Sequence, residues 1–320
     1  GVSVKAQNAP HPVLQAAQVF DPNSQAHFIE NKGQYGNTLK GYEHMGAIRF
    51  AYEGLGMPVL VTTHGLVHLQ RKVQKISHAE EERLEKQGIP EEEIERKRVI
   101  TERTITMEWL YANYNAQVIT EDKTSAYHTY RMLQEKAYGY KKITVKELYP
   151  GIDLVYSFNH SEKAGFEYSL VVHAGADINA VELKYGGDIR KIKTDKNGSL
   201  IISSDIDDIV STIPISYYGE RLQQTANSQV STGYGIKDNI VNFEFPQGFD
   251  SKQPLVIDPF VSGTGTLTGL NAGKAKDVDF DYAGNIYVTG GGAMTGAHSL
   301  AKYNAAGVLQ WTFNGSLTIP

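Results

Sequence analysis

Hydrophobic and polar residues alternate over short stretches along most of the chain. AIRFAYE (47–53), PVLVTTHGLVHLQR (58–71), TITMEWLYANYN (104–115) and FEYSLVVHAGAD (166–177) read as strands. So do AVELKYGG (180–187), VNFEFP (241–246) and several pieces of 126–159 and 188–203. In GLVHLQR, Leu66 and His68 fall on one face and Val67 and Leu69 on the other. Turn chemistry separates the strands. Gly65 marks a bend, Pro150–Gly151 a tight turn, and Asn197–Gly198 a hairpin, because Asn and Gly tolerate positive φ. Strands do not alternate with helices, so a parallel α/β core is excluded, and sandwich or barrel-like sheets are expected.

One stretch breaks the rhythm. QKISHAEEERLEKQGIPEEEIERKRV, about residues 74–98, is built of helix formers. Gly88 is placed to end one helix and Pro90 to open a second. Glu91, Glu92 and Glu93 suit the second helix's positive end, and Arg96, Lys97 and Arg98 its negative end. The stretch reads as a solvated helical hairpin inserted between strands, with a partner-docking arm as the alternative. The expected organisation is a flexible leader (1–26), a first β-rich domain (27–145) carrying this insertion, and a second β-rich domain (146–260). Both β-rich domains are expected to be sandwich-like, with a further strand-rich unit following at 261–320.

Composition narrows the classes. Of 320 residues, 41% are apolar and 21% charged, which places the chain among folded proteins. The net charge of −5 and the lack of a basic cluster argue against a nucleic-acid partner. There is no cysteine, so disulfides, thiolate metal sites and cysteine nucleophiles are excluded. No apolar run reaches the length of a membrane span. The first residues, GVSVKAQNAPHP, are compatible with a mature end after signal removal or with an expression boundary.

Candidate chemistry is sparse. His64 and His68 are four apart, which is helix rather than strand spacing for a metal pair. Asp205, Asp207 and Asp208 crowd SSDIDDIV, but the central Gly and closing Glu of a calcium loop are missing. Asp277 and Asp279 alternate along a strand into Asp281, so calcium could relieve their repulsion; these three are the calcium candidates, and no other cofactor is expected. Glu30, Asp153, Glu167 and Asp258 are the carboxylates considered for acid–base work. Asp153 and Glu167 could face each other across strands, whereas Asp258, before Pro259, reads as fixing a linker through local hydrogen bonds. No GxSxG, P-loop or dinucleotide glycine pattern occurs. Tyr111, Tyr114, Tyr138 and Tyr140 are candidate amphipathic contacts, with sheet packing as the alternative.

Six phrases then occur in order: HFIENKGQYG, LYPGIDLVYSFN, GFEYSLVVHAGAD, ELKYGG, KNGSLII and SKQPLVIDPF. Together they resemble the N-terminal module found ahead of SBBP-type β-propeller repeats in bacterial surface and secreted proteins, especially of the Bacteroidetes. DVDFDYAGNIYVTGG…HSLAKYNAAGVLQWTF (277–313) resembles one such repeat. The resemblance implies an all-β protein with no catalytic activity to carry over, and a first propeller blade at 261–320 continued by further blades. It places the protein outside the cell or on the outer surface of a Gram-negative bacterium. The function expected is a non-enzymatic scaffold that presents a propeller to a protein or glycan, with adhesion as one such role. The alternatives are a subunit of an outer-membrane secretion or gliding-motility complex, docked through 74–98, and a glycan or peptide hydrolase.

Overall fold

The computed structural model describes residues 26–53, 58–74, 78–90, 93–94, 99–130, 135–158, 165–219, 228–263, 275–280, 286–291, 298–303 and 309–315. The first part of the chain supplies β1 (Phe28–Glu30), β2 (Ile48–Tyr52), β3 (Val59–Thr62), β4 (Gly65–Gln74), helix α1 (His78–Lys86) and β5 (Val99–Leu110). Next come β6 (Val118–His128), β7 (Ala137–Tyr149), β8 (Ile152–Ser157), β9 (Phe166–Val172) and β10 (Glu182–Gly187). Shorter strands follow: β11 (Lys191–Thr194), β12 (Leu200–Ser203), β13 (Asp208–Ser211), β14 (Ile215–Tyr218) and β15 (Gln229–Val230). β16 (Gly233–Lys237), β17 (Ile240–Glu244), β18 (Leu255–Asp258) and β19 (Phe260–Gly263) complete the larger sheet.

Fifteen of these strands pair antiparallel in the order β16–β17–β10–β5–β4–β3–β2–β1–β7–β8–β9–β19–β13–β12–β11. β11 lies beside β16 without a shared ladder, so the sheet curls into one nearly closed barrel. β6 adds to β7, and β18, β14 and β15 branch from β9. The alternation that predicted the strands also fills the interior. Ile105, Met107 and Trp109 of β5 point inward with Ile152, Leu154 and Tyr156 of β8 and Phe166, Tyr168, Leu170 and Val172 of β9. All are nearly inaccessible, and each contributes about 1.5–3 kcal/mol by leaving water. A second cluster, Met45, Ile48, Ala51, Leu60 and Val67, sits with Tyr35, Leu39 and Tyr42 on the other face of β2–β4. It explains why β3 is buried along its whole length.

β4 and β5 run on together beyond their barrel neighbours, pairing from Gly65↔Glu108 out to Gln74↔Val99. The charged insertion lies at the far end of this ribbon. α1 ends as the sequence proposes, with Gly88 at φ +74° and the Gly88 and Ile89 amides donating to the Glu85 and Leu84 carbonyls. The Glu93 and Ile94 amides both donate to the Pro90 carbonyl, and Leu84 and Ile94 are buried. Glu91, Glu92, Arg96, Lys97 and Arg98 lie outside the described residues, as does the proposed leader apart from Ala26.

The fold differs from two sandwiches followed by a propeller. Residues 145 and 146, where the two domains were expected to meet, are neighbours inside β7. Strands from the two halves pair directly, β5 with β10, and β7 itself spans the expected boundary. Period-two alternation locates strands but does not name distant partners, and those partners close the barrel. Four further strands form a separate antiparallel sheet: β20 (Ala275–Phe280), β21 (Ile286–Gly291), β22 (His298–Tyr303) and β23 (Leu309–Gly315). Successive hairpins give such a sheet in many contexts. Among the described residues there is one of them and no propeller.

Candidate functional site

A concavity opens at one end of the barrel, where the loop after β5 meets β2, β3, the start of β6 and the later half of β7. Its volume is about 50 Å³. Phe50, Val61, Trp109, Ile143, Leu154 and Tyr156 make an apolar floor, and Arg49, Thr62, Thr63, Asn113, Tyr114 and Val118 ring the mouth. Strand alternation sets the floor, and an irregularity in the β2–β3 register between Ile48 and Phe50 sets Arg49. Phe50 and Trp109 point inward on β2 and β5, while Arg49, one residue before Phe50, is exposed.

The floor is tied by polar contacts. The Trp109 indole Nε1–H donates to the Tyr156 hydroxyl at 3.2 Å, inside the barrel. The covering loop is pinned by the Asn113 amide to the Leu148 carbonyl (2.8 Å) and by the Tyr149 hydroxyl to the Leu110 carbonyl (2.8 Å). The Tyr114 hydroxyl donates to the Trp109 carbonyl at 2.9 Å, with a Glu108 carboxylate oxygen 3.3 Å away. Burial, together with that carboxylate, pushes the Tyr114 phenol up to about 12. The Tyr114 ring stacks on His64, centroids 3.7 Å apart, and His64 Nδ1 donates to the His44 carbonyl at 2.5 Å. Beside it Tyr111 is 84% exposed and holds the left-handed region at φ +59°. A non-glycine residue held there stores strain, and such residues gather at binding sites. Among the described residues the Arg49 guanidinium makes no ion pair or hydrogen bond.

A wider groove of about 620 Å³ runs along Asn242–Phe245 and Gly248–Phe249 beside Asn179. It is open to solvent, and its Phe245 and Phe249 rings pack on each other at 4.6 Å.

Of the tyrosines singled out in the sequence, Tyr114 lines the pocket mouth, and Tyr111, three residues earlier in the same loop, is exposed. Tyr138 carries the Lys123 ammonium 3.3 Å over its ring, and Tyr140 is half-buried edge-on to Phe50. The carboxylates do not assemble into an acid–base pair with Asp153. Asp153 stands opposite Val171 and Glu167 opposite Ser157, four positions along the strands, or roughly 13 Å. Asp153 is buried and accepts from Lys146 Nζ (2.6 Å) and the Glu147 amide (2.8 Å), with His173 Nε2 at 3.4 Å. Burial raises such a carboxyl, but these partners outweigh it and hold Asp153 below its ordinary range. Glu30 accepts from the Tyr138 amide. Asp258 accepts from Ser169 Oγ at 2.7 Å, a partner 89 residues away.

His68 is buried inside the barrel, while His64 sits at the rim, so the two do not converge. Asp205 is gripped by Arg103 through two bonds of 2.7 Å, with Arg190 at 3.5 Å. Asp277 and Asp279 are described only as backbone, paired with Thr289 and Tyr287, and Asp281 lies outside the described residues. Among the described residues no three of His, Asp and Glu gather as a metal site, and no helix is long and apolar enough to cross a membrane. No local signal marks Arg49, Trp109 and Asn113 as lining one pocket. Alternation shows which face a residue takes, but not which distant strand completes that face.

A family model described as "Domain of unknown function (DUF7948)" matches residues 28–260. The chain belongs to this family. Its extent runs from the first residue of β1 to the first residue of β19, covering β1 to β18 of the barrel sheet. No curated protein and no solved structure matches the chain. The likeness to a module preceding SBBP repeats is therefore corrected: the matched family is DUF7948, and a barrel with one separate sheet replaces the propeller. The propeller-presenting scaffold, the secretion or motility subunit and the hydrolase lose their support with it.

Proposed function

We propose that this DUF7948 barrel is a non-catalytic binding module whose end pocket takes a small apolar group attached to an anion. The observation that carries the reading is the Arg49 guanidinium, without an ion partner among the described residues, at the mouth of a pocket floored by Trp109, Leu154 and Tyr156. Ligand sites commonly combine an apolar floor with a few fixed polar groups. The pocket volume is about a third of the ~150 Å³ that admits benzene. A two- or three-carbon group therefore suits it, such as the side chain of a C-terminal valine whose carboxylate reaches Arg49. Tyr111 and Tyr114 would cover the adjoining chain.

Binding is favoured over chemistry because the pocket lining contains no carboxylate, imidazole, thiol or amine. Its mouth phenol, Tyr114, titrates far above neutral pH, where it is a poor general acid or base. An extracellular or outer-surface place of action is kept within this proposal, with a protein ligand in preference to a glycan.

The test is an NMR titration of the Trp109 indole N–H with a pentapeptide ending in valine. The expected result is saturable shifts at Trp109 with the free carboxylate, at least tenfold weaker binding after C-terminal amidation, and a similar loss in Arg49→Ala. Isobutyrate reproducing the shifts would identify a small free acid as sufficient. An unmoved Trp109 signal at millimolar peptide and isobutyrate would overturn the reading.

A further inference from the structure

At the side of the barrel, His27 and His128 approach from positions 101 residues apart. Their Nε2 atoms are 2.7 Å from each other and their ring centroids 5.0 Å. Both are held by paired backbone. His27 immediately precedes Phe28, which pairs with Tyr140, and His128 pairs with Ala137 at the end of β6. Gly139 lies beneath His27. A Cβ at that position would stand 2.3 Å from His27 Cδ2 and 2.9 Å from Thr124 Oγ1. This glycine has no positive φ to accommodate, so its lack of a side chain is what gives the imidazole its seat. Burial and the facing His27 hold the His128 imidazole below its ordinary range, and the Glu53 carboxylate offsets them only in part. Glu53 is exposed, accepts from the Tyr35 hydroxyl at 2.7 Å, and its carboxylate acts electrostatically on His128. Tyr130 stacks loosely on His128 and meets Tyr35 at 3.3 Å, closing the cluster from the other side.

We propose that His27 and His128 form a two-imidazole site for a divalent transition ion of nitrogen preference, zinc or copper(II). Two imidazoles on one tetrahedral zinc, at about 2.0–2.1 Å each, hold their nitrogens roughly 3.3 Å apart. Opening the pair by about half an ångström reaches that spacing, within the play of two side-chain torsions. Imidazole is a good ligand for both ions, with copper(II) bound more tightly in the general order of divalent metals. With two protein ligands and water completing the shell, the ion exchanges readily. The site is independent of the end pocket and stands or falls separately from the binding reading above.

The test is a titration of the metal-free full chain with Zn²⁺, followed by competition with a chromophoric chelator, and with Cu²⁺, followed by electron paramagnetic resonance. The expected result is one zinc per chain, copper hyperfine structure from two nitrogens, and at least tenfold weaker binding in both His27→Ala and His128→Ala. His64→Ala, at a histidine on the pocket rim, is expected to bind as the wild type does. Circular dichroism shows whether each variant is folded, and His128→Gln serves where alanine disturbs β6. Zinc and copper affinity unchanged in the His27→Ala/His128→Ala double variant would overturn the proposal, as would a wild type with no binding tighter than about 100 μM.

Discussion

His68 points into the barrel between Val59 and Ile105, fully buried, and burial lowers its imidazole to about 4. The unfolded chain holds that proton near pH 6.5, so between pH 6.5 and 4 it binds more protons than the native state does. Stability from this residue is complete above pH 6.5 and declines as pH falls through that window, by about 3 kcal/mol in all. Urea midpoints for wild type and His68→Met, taken at pH 7.5, 6, 5 and 4, isolate the effect from that of the carboxylates. The difference between the two proteins should shift in favour of the variant as pH falls, and parallel curves would refute it. Tyr111 carries a second single-residue prediction. A glycine adopts φ +59° freely, so Tyr111→Gly should raise stability by up to about 1 kcal/mol while weakening peptide binding at the pocket. Lower stability with unchanged binding would show that the strain at Tyr111 serves neither purpose. The face of His68 could be read from the alternation in GLVHLQR. The strain at Tyr111 could not, because nothing local in EWLYANYN demands positive φ.

Elements were legible where the chain turns back on itself. Gly151 at φ +73° follows β7, and Gly198 at φ +81° sits between β11 and β12, with Asp195 Oδ1 accepting from the Asn197 and Ser199 amides. Both turns are specified by residues within the turn. The clasp on the β4–β5 ribbon is not. Arg103 reaches across to Asp205, Gln70 donates to the Asp207 carbonyl and accepts from Ser204 Oγ, and the Thr104 amide donates to Asp188. The crowded acids of SSDIDDIV thus brace the ribbon, and their neutralising charge comes from a strand a hundred residues earlier. Asp205→Asn should speed hydrogen exchange of the ribbon amides at 69–72 and 101–104 while leaving β8 and β9 protected. Its global unfolding midpoint should move little, because the pair is solvent-exposed. Uniform loosening of the whole barrel would instead make the clasp part of the core's stability.

At the scale of the molecule, closure depends on pairings that no hairpin supplies. β1 joins β7, β5 joins β10, and β9 receives the bent strand formed by β18 and β19 around Pro259. All of these partners lie within residues 28–263, and no ladder joins them to β20–β23. A fragment of residues 26–263 should therefore fold as one cooperative unit. Two internal cuts serve as controls, 26–145 and 146–263, matching the two-domain division suggested by the sequence. Each would strand a half-sheet with long unpaired edges, and each should fail to fold alone. Urea unfolding followed by Trp109 fluorescence and by far-ultraviolet circular dichroism should give one coincident transition for 26–263. It should give none for 26–145, which contains Trp109 but lacks β8 and β9, whose Tyr156 and Tyr168 pack around that indole. A sharp transition in either half would mean that its strands close a core by themselves, making the barrel two units joined edge to edge. Failure of 26–263 to fold would show that the barrel draws stability from the following sheet despite sharing no ladder with it.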